Sequence, residues 1–165
     1  MTEIIETAFI TFIRSNQQSI YRLAYSYTKN EQDALDIVQD SIQKGWLALE
    51  RLTHTDQLKS WFYTILVRTA IDFLRKHHRI VLVGDEALQQ LPEHDTYENV
   101  DLQQALQQLP IQLREVIILR YFEDLKIEEV AHILQLPLST TKSRLYKALK
   151  LLKIELEQEE VIHHA

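Results

Sequence analysis

A chain of 165 residues with two glycines, three prolines and no cysteine has room for one domain or two small ones, and it excludes a disulfide scaffold, a thiolate zinc site and a glycine-built phosphate loop. Gly45 and Gly84 are too few for a hairpin-rich β protein, so an all-α chain is expected. A formal net charge of −6, taken as one number, argues against a nucleic-acid partner.

Residues 1–12 carry Glu3 and Glu6 where a secretory signal would need lysine or arginine, and no run of about 18 apolar residues occurs anywhere. The chain is therefore expected to be soluble and intracellular. Ile20, Leu23, Ala24 and Tyr27 follow helical spacing; after a break at residues 28–31, Ala34, Leu35, Val38, Ile42, Trp46 and Leu49 repeat it. A third helix is expected from residue 60 to about 78. Its inner arc holds Phe62, Tyr63, Leu66, Val67, Ala70, Phe73 and Leu74; its outer arc holds Thr64, Arg68, Asp72, Arg75 and Arg79, with Trp61 and Lys76 alongside. Residues 84–101 contain Pro92 and six acids with no base, which reads as a linker kept extended by like charges. Asp101 can then cap a helix bearing Leu102, Ala105, Leu106 and Leu109. Pro110 ends that helix and opens the next, 111–122, which is apolar almost all round. Residues 127–134 form a short helix and 135–138 a turn, and Ser139 is the expected N-cap of a last helix running to about residue 155.

Charge is segregated along this sequence. Residues 59–84 hold Lys59, Arg68, Arg75, Lys76 and Arg79 against Asp72 alone, whereas 85–101 hold Asp85, Glu86, Glu93, Asp95, Glu98 and Asp101 unopposed. Residues 139–153 return to Lys142, Arg144, Lys147, Lys150 and Lys153 with no acid. Cations and an aromatic on one helix face suit phosphate contacts and stacking on an unpaired base; the ordinary alternative is a solvated face. On the last helix, Thr141, Leu145, Ala148, Leu149, Leu152 and Leu156 line the core side, while Lys142, Ser143, Arg144, Tyr146, Lys147 and Lys150 spread over the other. A short helix, a turn and a basic helix make a helix-turn-helix, whose second helix enters the major groove; small Ala131 fits the close crossing. A plain helical hairpin is the alternative. Glu129/His132 and Glu160/His163 have the Glu-x-x-His spacing of di-iron bundles, but the supporting glutamates are missing and the second pair sits in a terminal tail. His77/His78 and His163/His164 are likewise weak metal signals. No metal site, cofactor or catalytic constellation is expected, and the chain is not read as an enzyme.

Several motifs in a fixed order resemble the extracytoplasmic-function (group IV) sigma factors, the two-domain promoter-specificity subunits of bacterial RNA polymerase. These are Asp33-Ala34-Leu35-Asp36-Ile37-Val38-Gln39-Asp40, Ser60-Trp61-Phe62-Tyr63 with Ala70-Ile71-Asp72-Phe73-Leu74-Arg75, then Leu109-Pro110, Leu119-Arg120-Tyr121-Phe122, Ile127-Glu128-Glu129-Val130-Ala131 and Thr140-Thr141-Lys142-Ser143-Arg144-Leu145. Ile65 to Ala70 and Tyr146 to Lys150 are similar to the Bacillus-type envelope-stress members. The resemblance implies an all-α protein with region 2 at residues 1–83, an acidic linker at 84–101 and region 4 at 102–165. It implies that Asp33, Asp36, Ile37, Gln39 and Asp40 grip the clamp helices of the largest polymerase subunit. Lys59, Trp61, Thr64, Arg68, Asp72, Arg75 and Arg79 would meet the minus-ten element, and the loop 52–59 would capture a flipped base. Ser139, Thr140, Lys142, Ser143, Arg144, Tyr146, Lys147 and Lys150 would read the minus-35 element. Implied partners are the polymerase core, including the flap of its second-largest subunit, promoter DNA, and a membrane-anchored anti-sigma factor that holds the protein at the inner face of the membrane. Leu151 and Ile154 are candidate contacts for the flap or the anti-sigma factor. No small-molecule substrate is implied. Three residues depart from the family pattern: Arg68 stands where asparagine is common, Gln135 where glycine is usual, and Thr141 where an apolar β-branched residue packs. The main alternative is a stand-alone DNA-binding regulator that uses the helix-turn-helix alone.

Overall fold

Each helix starts and stops where the chain supplies or withholds a backbone partner. In the computed structural model, which describes residues 2–77, 79, 82–92 and 102–152, α1 (Thr2–Ser15) ends at Asn16, whose side-chain Nδ2 donates to the carbonyl of Phe12 at 2.8 Å. Helix α2 (Gln17–Thr28) closes on Lys29, a left-handed residue at φ 56°. The next residue, Asn30, caps α3 (Glu31–Leu47) by accepting the amide of Asp33 at 2.9 Å. Two 3-10 turns, Leu49–Arg51 and Thr55–Gln57, lead into α4 (Leu58–Lys76). Helices α5 (Asp85–Gln89), α6 (Leu102–Gln108), α7 (Ile111–Ile117), α8 (Ile127–Leu134) and α9 (Leu138–Leu152) follow, and α7 runs on as a π turn over Ile118–Phe122. The sequence motif expected to cap α6, Asp101, lies outside the described residues. None of the described helices is long and apolar enough to cross a membrane.

The chain divides into two compact units, α1–α4 with residues 132–134 of α8, and the remainder of α5–α9. In the first, Ile20, Leu23, Ala24 and Tyr27 of α2 pack with Ala34 and Ile37 of α3 and with Phe62, Tyr63, Leu66, Val67, Ala70 and Leu74 of α4. Phe73, expected inward, is only partly buried and stacks on His77 with ring centroids 4.2 Å apart. The apolar stripe expected for α3 is shifted: Leu35 and Trp46 are exposed, and the buried face is Ala34, Ile37, Ser41 and Gly45. Helix α1 supplies Phe9, which is fully buried and meets Trp46, Trp61 and Phe62 at centroid distances of 6.3, 6.3 and 5.9 Å. Burial of such a ring contributes about 1.5–3 kcal/mol.

In the second unit α7 is buried at every position from Gln112 to Ile117, polar side chains included. Arg114 is buried too, and its guanidinium donates to the carbonyls of Gln107 and Leu109, both at 3.0 Å, closing the end of α6. The expectation of an extended linker from residue 84 fails over its described part. Residues 85–89 are helical, and Leu88 has no exposed surface. Like charges extend a chain only where no opposite charge is near, and here α5 packs on the basic helix α9.

Candidate nucleic-acid and polymerase interfaces

Along α3, Asp36, Gln39 and Asp40 are exposed at spacings of three and four, so they share one edge. Asp40 also pairs with Lys44 one turn on, at 3.2 Å. Asp33 is partly buried and paired with Arg79. Ile37 was expected among these contact residues, but it is 1% exposed and packs in the core, because positions 34, 37 and 41 face inward. Leu35, read from sequence as core, is 45% exposed beside Asp36 and one turn from Gln39.

Helix α4 brings Arg68, Asp72 and Arg75 together as an exposed row at i, i+4 and i+7. Arg79 extends this row, with its guanidinium engaged by Asp33 and 5.7 Å from the centroid of the Phe73 ring. Lys59, Trp61 and Thr64 are only partly exposed. The Thr64 hydroxyl donates back to the carbonyl of Ser60 at 2.8 Å. Trp61 stands edge-on to Phe9 in the cluster of Leu49, Leu52 and Leu58, so most of the ring expected to stack on a base serves packing instead. In the loop before α4, Leu52 and Leu58 are buried while residues 53–57 are exposed. A cleft of about 480 Å³ opens beside it between Ile5, Trp46, Leu49, Leu52 and Thr53.

The turn between α8 and α9 has a defined geometry. Gln135 is left-handed at φ 56°, and the Leu136 amide donates to the carbonyl of Ala131 at 3.0 Å, the Schellman closure of a helix end. Helix α9 starts two residues earlier than expected: the Pro137 carbonyl accepts the Thr141 amide at 3.0 Å, so Pro137, not Ser139, holds the cap position. Thr141 is fully buried, and its hydroxyl also donates to Pro137, at 3.0 Å. Ser139, Ser143, Tyr146 and Lys150 are exposed, and Thr140 and Lys142 partly so. Arg144 and Lys147, expected to reach DNA, are buried in this conformation. The segment around α5 covers them. Arg144 Nε donates to Asp85 Oδ1 at 2.8 Å, Lys147 Nζ to the Leu91 carbonyl at 2.7 Å, and Gln89 Nε2 to Ser143 Oγ at 2.8 Å. Leu151, expected on the outer side of α9, is 6% exposed, and Ile154 lies outside the described residues. Among the described residues no group of three or more His, Asp or Glu side chains could hold a metal ion.

This division into an α3–α4 unit with an acidic edge and a helix-turn-helix unit has counterparts. Residues 12–80 match the family profile described as Sigma-70 region 2, and residues 99–152 match Sigma-70, region 4. The chain is 49% identical over 154 residues to the RNA polymerase sigma factor SigV of Bacillus subtilis (strain 168), covering 92% of this chain and 93% of that one. It is 27% identical to the ECF RNA polymerase sigma factor SigM of the same organism, over 81% of this chain and 86% of that one. Among solved structures it is similar to the sigma factor RpoE of Bartonella quintana, crystallised with the anti-sigma factor NepR, with a TM-score of 0.67, 24% identity and coverage of 89% of this chain and 98% of that one. A second similar fold is CnrH, in complex with the cytosolic domain of CnrY, with a TM-score of 0.65, 23% identity and coverage of 93% and 90%. With both regions present in order, and with half its residues shared with a sigma factor of nearly equal span, the chain belongs to the sigma-70 family of RNA polymerase sigma factors, in the extracytoplasmic-function class that directs transcription initiation.

Proposed function

We propose that this sigma factor meets polymerase core through the exposed edge of Asp36, Gln39 and Asp40, with Asp33 and Leu35 at its margin, and meets the minus-ten element through Arg68, Asp72 and Arg75 on α4. Arg79 supplies a further phosphate contact, while Lys59, Trp61 and Thr64 shape the base of that surface. In region 4 the reading surface comprises Ser139, Thr140, Lys142, Ser143, Tyr146 and Lys150, joined by Arg144 and Lys147 once they are uncovered. The observation that carries this reading is the separation of charge within one small unit: an acidic edge on α3 and a cationic row on α4. An acidic edge repels DNA and suits a protein partner, whereas the cationic row suits phosphate.

The protein is further proposed to act in the cytoplasm on an envelope-stress regulon and to be held inactive by a membrane-anchored anti-sigma factor. The anti-sigma factor NepR bound to the similar sigma factor RpoE, and the cytosolic domain of CnrY bound to the similar CnrH, support the second part. Reconstituted transcription with and without polymerase core tests the whole reading. Promoter-specific transcripts that require both proteins are expected, with loss on Asp36→Arg. Specific footprinting of duplex DNA by the chain alone, or transcription indifferent to Asp36→Arg, would favour a stand-alone regulator.

A further inference from the structure

The second unit uses part of its own chain to occupy the reading surface of α9. Three neighbouring side chains of that helix, Ser143, Arg144 and Lys147, are engaged by residues 85–91: the Asp85 carboxylate on Arg144 at 2.8 Å, the Gln89 amide on the Ser143 hydroxyl at 2.8 Å, and the Leu91 carbonyl on the Lys147 ammonium at 2.7 Å. Leu88, fully buried between these polar contacts, holds α5 down. The start of the segment is clamped separately, because the Gln112 side chain accepts the Val83 amide at 3.2 Å and donates to the Val83 carbonyl. The partners offered to α9 are a carboxylate, an amide and a carbonyl, the hydrogen-bonding groups that phosphates and base edges would present.

We propose that residues 84–91 form an intramolecular cap that mimics nucleic acid on the recognition helix and must lift before Arg144 and Lys147 can contact duplex DNA. This rests on the reading of α9 as the minus-35 helix. The cap explains how cations on a recognition helix can be buried in the free protein, and it makes region 4 a poor DNA binder until something displaces α5. A brace that only stabilises the fold would use the same leucine but would not need to saturate three adjacent DNA-facing side chains.

The test uses the full chain and a labelled random-sequence 24-base-pair duplex, titrated across a range of salt concentrations. In the double variant Asp85→Ala/Leu88→Ala, affinity at about 0.1 M salt is expected to rise at least tenfold, and the slope of log K against log salt to steepen by about two, because two cations become available to phosphate. Should that variant unfold, amide exchange on the native chain answers the same question. Residues 84–91 are expected to lose protection when saturating duplex is added. Unchanged affinity and slope in a folded double variant, or protection that persists with DNA bound, would overturn the cap. Lys150→Ala separates the two readings. If it weakens duplex binding but uncapping does not strengthen it, only the cap fails; if it has no effect in native or uncapped chains, the assignment of α9 fails as well.

Discussion

The guanidinium of Arg79, just beyond α4, is paired with the carboxylate of Asp33, 46 residues earlier in the first turn of α3. The pair ties the end of the cationic row to the start of the acidic edge, so Asp33 and Asp36 have different jobs. Asp33→Ala removes a pair whose arginine is 43% exposed, so it is expected to cost less than about 1 kcal/mol in urea unfolding and to leave core binding nearly intact. Asp36→Arg keeps full stability but reverses charge on the exposed edge, and at least a tenfold loss in competition for polymerase core is expected. Equal effects of the two substitutions on core binding would contradict this division.

Gln135 holds the turn of the helix-turn-helix at φ 56°, where an L-residue other than asparagine or aspartate is strained by about 1–2 kcal/mol. Glycine relieves that strain but loses about 0.5–1 kcal/mol of backbone entropy on folding. Gln135→Gly is therefore expected to stabilise region 4 by about 0.5–1 kcal/mol, and Gln135→Val to destabilise it, as read from urea midpoints. A lower midpoint for the glycine variant would mean the strain is absent in solution.

At Thr141 the hydroxyl is buried and satisfied, yet its acceptor does not depend on it. The Pro137 carbonyl keeps the Thr141 amide, so Thr141→Val leaves no buried acceptor orphaned and gains an apolar methyl. A stability change within about 0.5 kcal/mol is expected. Thr141→Ser keeps the hydroxyl and loses the methyl, which costs about 1 kcal/mol. Thermal unfolding of the two variants gives the order, and valine below serine would show that the hydroxyl bond dominates.

Helices α2 and α4 were legible because their buried faces are apolar at helical spacing. The α3 face was misread because it buries small residues: Ser41, whose hydroxyl donates to its own helix at Ile37, and Gly45 add no hydrophobic signal, while Leu35 and Trp46 add one on the outside. Local charge also misled at residues 85–91. Asp85 and Glu86 open a run of six acids without a base that reaches residue 101 and looks extended in sequence, but the partner of Asp85 is Arg144, 59 residues away. The same contact explains why Arg144 and Lys147, correctly placed on the basic helix, are buried: no wheel of α9 alone contains the segment that covers them.

Gly45 is the point where α3 admits the ring of Phe9. A β-carbon there would lie 3.0 Å from Phe9 Cζ and 3.1 Å from Cε2. Alanine in a helix gains about 1 kcal/mol over glycine, while overpacking a filled core costs about 1–3 kcal/mol. The sign depends on whether Phe9 can retreat, and with Trp46, Trp61 and Phe62 around a ring only 1% exposed it has nowhere to go. Gly45→Ala is expected to destabilise region 2 by about 1 kcal/mol. In a Phe9→Leu background, where the ring edge is gone, the same substitution is expected to become neutral or stabilising by up to about 1 kcal/mol. A double-mutant cycle in urea reads the coupling directly. Additive effects, with Gly45→Ala equally costly in both backgrounds, would show that the glycine serves some need of α3 other than room for Phe9.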